Sequence, residues 1–175
     1  MKRLLATILV LVFVCTGILA LSSCSAPEPA PVPEGYKEYN NGDISFSYPE
    51  AWVMTDGSVV TIAETAAGGN NVTVAYEAQN DTYKTITKEK YVEIVKPSLD
   101  TMGMTISDVV ITQTKNEYTK EITKITQTVS ISGVSMSQTL YMLDSNDRTY
   151  TVTVTEVKKD ATLVKNVFDT LVALK

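Results

Sequence analysis

The sequence predicts an α+β domain: a single antiparallel β-sheet of about six to seven strands, flanked by helices in an α/β/α sandwich. Three observations lead there. The C-terminal half holds long segments of strand character joined by turns of one to three residues, and such short links connect antiparallel neighbours, because parallel ones need crossovers of a dozen residues or more. Two segments instead repeat apolar residues at three and four positions, the spacing of a helix that buries one face. The first 35 of the 175 residues have a composition foreign to a folded domain, which leaves residues 36–175 as one unit of ordinary size.

Within that unit the elements follow in order. Tyr36 to Tyr39 is a short strand, and Asn40-Asn41-Gly42-Asp43 is a turn cluster whose glycine and Asn/Asp residues tolerate positive φ. Ile44-Ser45-Phe46-Ser47-Tyr48 alternates with period two, as a half-buried strand does, and Pro49 stops it. Val53 to Glu64 reads as a strand pair around Asp56-Gly57, Ala66 to Asn71 as a flexible loop, and Val72 to Tyr76 as the next strand. From Thr87 as N-cap, the residues Tyr91, Val92, Val95, Leu99 and Met102 mark one helical face, with a kink or break expected at Pro97 and an end near Gly103.

Four strands follow: Ser107 to Lys115, Tyr118 to Ser132, Val134 to Asp144 and Arg148 to Val157. Ile122 and Ile125 differ in parity, which suggests a bulge near Thr123-Lys124. In the last strand Tyr150, Val152 and Val154 point to a core, while Thr149, Thr151, Thr153 and Thr155 form a lightly covered face. A closing helix from Ala161, capped by Asp160, aligns Val164, Val167, Phe168, Leu171 and Leu174.

The N-terminus reads as an address. After Met1-Lys2-Arg3 comes an 18-residue uncharged run, Leu4 to Leu21, of the kind found in signal peptides. It ends in Leu21-Ser22-Ser23-Cys24, which resembles a bacterial lipobox: an aliphatic residue, two small ones, and the cysteine that is acylated. The resemblance implies a signal peptide over residues 1–23, a lipidated Cys24 as first residue of a 152-residue mature chain, and loss of Cys15 with the leader. It also implies an extracytoplasmic protein held at the cell membrane by at least two acyl chains, since one chain alone binds only marginally. Ser25 to Gly35 carries four of the six prolines and reads as an extended tether, which at about 3.1 Å per residue spans up to roughly 35 Å.

Composition then removes whole classes of chemistry. The chain has no histidine, and its two cysteines lie in the N-terminal segment, so residues 25–175 contain neither imidazole nor thiol. His-based triads, cysteine nucleophiles, ordinary zinc sites and internal disulfides are excluded there. Net charge is −5, and without Lys2 and Arg3 thirteen bases face 20 acids, so nucleic acid is not an expected partner. No cofactor, metal site or catalytic residue is expected. The acids considered for a carboxylate-based hydrolase, Asp81, Asp144 and Asp147, stand in turn contexts where aspartate has a structural use.

The order strand, Tyr-Pro-x-x-Trp, strands, helix, meander and terminal helix resembles the Mog1/PsbP-like fold. The residues that carry the resemblance are Ile44 to Trp52 (ISFSYPEAW) together with Thr149 to Leu174. Known members of that fold bind partners or assist assembly, one class at the lumenal side of photosystem II and another on the small GTPase Ran. What the resemblance implies is a non-catalytic binding or assembly module with a protein partner in the envelope. A small-molecule or carbohydrate site in a pocket between sheet and helix, with Trp52 as a stacking ring, is the alternative. An envelope hydrolase is a third.

Overall fold

The computed structural model describes residues 27–65 and 68–175. Ten strands and two α-helices succeed one another: β1 (Tyr36–Asn40), β2 (Ile44–Pro49), β3 (Val53–Thr55), β4 (Val60–Thr65), β5 (Gly68–Ala78), α1 (Lys88–Thr101), β6 (Met104–Thr114), β7 (Ile122–Ile131), β8 (Val134–Ser145), β9 (Arg148–Glu156), α2 (Ala161–Asp169) and β10 (Val172–Ala173). A 3₁₀ turn over Asp81–Thr85 precedes α1. Seven strands form the antiparallel sheet that the alternation predicts, in the order β3-β4-β5-β9-β8-β7-β6. The remaining three, β1-β2-β10, make a second, smaller sheet, also antiparallel.

Both faces of the large sheet are covered. The small sheet and α2 lie on one, burying Phe46, Trp52, Ile62, Tyr141, Tyr150, Val152, Leu163 and Val167 in the main core. Helix α1 lies on the other, where Tyr91 packs with Val109 and Ile125. This arrangement explains the mixed parity of β7: Ile122 is 0 % exposed and Ile125 1 % exposed, because they enter different cores. No bulge is present at Thr123-Lys124, where β7 pairs with β8 in unbroken register. The register shift lies instead in β6, between Ser107 and Val110, where Asp108 adopts φ 55°. Asparagine and aspartate are among the few non-glycine residues that enter this left-handed region readily.

Local chemistry sets the boundaries. Asn41 Oδ1 accepts hydrogen bonds from the amides of Asp43 and Ile44, closing the β1–β2 turn through Gly42 at φ 86°. Thr87 Oγ1 accepts from the Lys90 amide to start α1, which continues through Pro97 as one helix. The carbonyl of Glu93, which loses its donor to Pro97, is on an exposed stretch where water can replace it. The Ala66–Asn71 loop is shorter than expected: β4 reaches Thr65, β5 begins at Gly68, and the two residues pair.

The terminal helix also stops early. Asp160 Oδ1 caps it at the Leu163 amide, but α2 ends at Asp169, so Leu171 and Leu174 lie beyond the helix. Asn116 Nδ2 donates to the carbonyls of Phe168 and Leu171, and Thr170 Oγ1 donates to the Asn166 carbonyl while accepting from the Ser47 amide. These bonds satisfy the Asn166 and Phe168 carbonyls at the end of the helix and turn the chain into β10, whose Val172 pairs with Ser45 of β2. Alternation in β2 predicts one wet face, yet Ser45 and Ser47 are buried too, since the chain on either side encloses the small sheet.

Candidate functional site

Between α2 and the large sheet runs a groove of about 460 Å³. Its floor comes from Tyr141 on β8 and from Val164 and Phe168 on α2. The Tyr141 and Phe168 rings stack at 5.4 Å, and the Tyr141 hydroxyl donates to the Val164 carbonyl at 3.3 Å. Burial raises the pKa of that hydroxyl, reinforced by the charges of Asp169 and Glu156, so it stays a neutral donor. Lys124, Lys159 and Lys165 stand around this apolar floor, with Glu156. Lys165 is engaged by Asp169, and Glu156 accepts the Asp160 amide at 2.6 Å. Lys124 and Lys159 have no acid partner among the described residues. Lys124 Nζ instead lies 5.9 Å from the centre of the Phe168 ring.

A second polar centre surrounds Lys84. Its ammonium meets Asp81 at 2.7 Å and Asp144 at 2.9 Å, with Glu121 at 3.8 Å. Asp144 also accepts from Thr149 and Gln79. Burial works against the Asp144 charge, but Lys84, Thr149 and Tyr83 outweigh it and hold its pKa below the usual carboxylate range. The same acids hold the Lys84 proton more tightly than usual, through the hydrogen bonds that Lys84 donates to Asp81 and Asp144. Two of the three acids considered for hydrolysis thus share one lysine as counter-ion. Among the described residues no cluster of three or more acids suits a metal ion.

On the sheet face that α1 covers, the Tyr91 hydroxyl donates to Gln127, Gln127 to Gln138, and Gln138 to Thr155. This chain of bonds crosses three strands under α1 and accounts for part of the threonine face. Its members are scattered in sequence and become neighbours only through the strand register.

Trp52 is 8 % exposed and belongs to the main core; the groove between sheet and helix is lined by other residues. Its position follows from Pro49, whose carbonyl accepts the Trp52 amide and folds the chain back onto the sheet. Cys24 and the lipobox lie outside the described residues. The proline-rich segment, expected as an extended tether, is described from Pro27, and its Ala30 is buried against Val172 and Leu174, with Tyr118 beside them.

The architecture is an antiparallel α+β sandwich of PsbP-like form. It is similar to the solution structure of cyanobacterial PsbP (CyanoP) from Synechocystis sp. PCC 6803, at 12 % identity and a TM-score of 0.55, covering 86 % of this chain and 97 % of that one. A crystal structure from Bacteroides thetaiotaomicron is similar at 14 % identity and a TM-score of 0.50 over 81 % of this chain, which spans about half (49 %) of that protein. LpqN, involved in cell envelope biogenesis of Mycobacterium tuberculosis, aligns at 12 % identity with a TM-score of 0.41, over 78 % of this chain and 89 % of that one. No family model matches the chain, and no curated protein matches it. At these identities the likeness concerns the fold.

Proposed function

We propose that the chain is a lipid-anchored, extracytoplasmic binding module of the cell envelope, attached through Cys24 and acting on a protein partner without catalysis. The observation that carries the binding role is the groove, with two lysines free of acid partners above an aromatic and aliphatic floor. In a body where 20 acids outnumber thirteen bases, the groove reverses the balance, its lining holding three lysines to one acid, Glu156. It complements a partner segment with acidic groups beside an apolar side chain. The absence of imidazole and thiol from residues 25–175, and the tie of Asp81 and Asp144 to Lys84, support a non-catalytic role.

The anchor is tested by Cys24→Ala. Acylation is expected to be lost and the protein to leave the membrane fraction; a variant still acylated and retained would contradict it. The groove is tested by Lys124→Glu with Lys159→Glu, which is expected to abolish crosslinks to the partner in intact envelopes. A second reading has the groove's size in its favour, since about 460 Å³ lies in the range of roughly 300–1,000 Å³ typical of small-molecule sites. It predicts a rise in melting temperature with a small amphiphilic anion, lost in the same double variant.

A further inference from the structure

We infer that the docked N-terminal segment fixes the orientation of the domain on the membrane, with the turn of residues 115–121 facing the bilayer. The inference rests on acylation of Cys24. Ala30 is 6 % exposed and packs on Val172 and Leu174. Beyond it the chain is tied to the small sheet, since Pro33 and Gly35 carbonyls accept the amides of Tyr36 and Glu50. In the other direction Pro27 borders a cavity of about 420 Å³ together with Tyr118, Lys120 and Ala173. The segment thus runs across β10 and emerges beside Tyr118. Cys24 is three residues before Pro27, so its Cα lies within about 11 Å of Pro27 however the intervening chain is arranged. An acyl anchor that close leaves little of the roughly 35 Å reach that an extended tether would give.

The 115–121 turn and the Ser132-Gly133 turn occupy opposite ends of β7. Ten residues at about 3.3 Å each separate them by roughly 33 Å. The far end carries Met102, Val134 and Val157, each at least half exposed, and Lys159 of the groove follows directly. The orientation therefore directs the apolar end of the sheet away from the lipid, while the groove runs between Lys124 at the near end of β7 and Ser137 and Lys159 toward the far end. Charge does not produce it: Lys84, Lys115 and Lys120 at the near end are outnumbered by Asp81, Glu117, Glu121 and Asp144. Covalent attachment and the docked segment do, so the orientation is independent of anionic lipid and of ionic strength.

The body's lack of thiols permits the test. Full-length acylated protein carrying Glu117→Cys or Val134→Cys, labelled with a fluorophore, is reconstituted in phosphatidylethanolamine/phosphatidylglycerol vesicles containing nitroxide-headgroup lipid. Quenching at 117 and none at 134 is the expected result. Adding Ala30→Glu, which expels the segment from Val172 and Leu174, is expected to remove the difference between the two positions while the protein remains attached. Equal quenching at both positions in the attached parent, or a difference that survives Ala30→Glu, overturns the inference. Failure of the parent to attach at all overturns the anchor, and the orientation with it.

Discussion

Asp43 is where single residues contribute most to the closure of the domain. Its carboxylate accepts from the Tyr150 hydroxyl at 2.6 Å, from Lys175 Nζ at 3.1 Å and from Asn146 at 3.4 Å, and Arg148 stands 3.7 Å away. Its own carbonyl accepts the Leu174 amide. One residue thereby ties the β1–β2 turn to the β8–β9 hairpin and to the end of the chain. The Tyr150 hydrogen bond lowers the Asp43 pKa; burial opposes it, and Lys175 and Asn146 add to the lowering. A carboxylate lowered in the folded state contributes stability that is complete above the ordinary carboxylate range and is lost as pH falls through the folded value. Asp43→Asn is therefore expected to cost about 1–3 kcal/mol at neutral pH and to flatten the acid limb of the stability curve. Urea denaturation across that limb measures both; an unchanged limb would show that Asp43 does not set it.

At the scale of elements, α2 and β10 behave as one device. Thr170 ends the helix and at the same time accepts the buried Ser47 amide at 2.8 Å, extending the hydrogen bonding of β2 beyond its pairing with β10, ahead of the first residue of β10. Thr170→Val keeps the shape and removes that acceptor. It is expected to cost about 1–3 kcal/mol in denaturant unfolding, with amide exchange at Ser47 accelerated beyond that of other β2 amides. An unchanged Ser47 exchange rate would contradict the coupling. The sequence signals for this region were strong for the start of α2, because Asp160 is a local cap, and weak for its end. The end depends on Asn116 and Ser47, distant in sequence, so the apolar period runs on through Leu171 and Leu174 into a strand. The same physics misplaces the bulge: parity arguments assume one buried face, and β7 has two. Ser45 and Ser47 follow suit, being polar by pattern and buried within the smaller sheet.

For the molecule as a whole, the fold class was legible because hairpin turns and helical spacing are local, and they dictate an antiparallel sheet with helices packed on it. The division into two sheets was not, since β10 is two residues long and pairs with β2 across most of the chain. Of the groove, only its neighbourhood between sheet and terminal helix was legible. Lys124, Lys159 and Lys165 carry no motif, and Trp52, the natural candidate for a ring at a ligand, serves the core. The resemblance of Leu21-Ser22-Ser23-Cys24 to a lipobox stands at a different level: it is read from four adjacent residues and owes nothing to the fold.

Crosslinked capture from intact envelopes tests the central claim most directly, comparing wild type with Lys124→Glu/Lys159→Glu after both are shown to melt alike and to fractionate with the membrane. The account predicts a defined protein crosslinked to the wild type and lost from the double variant. Recovery of the same protein, in the same amount, with both lysines reversed would contradict it.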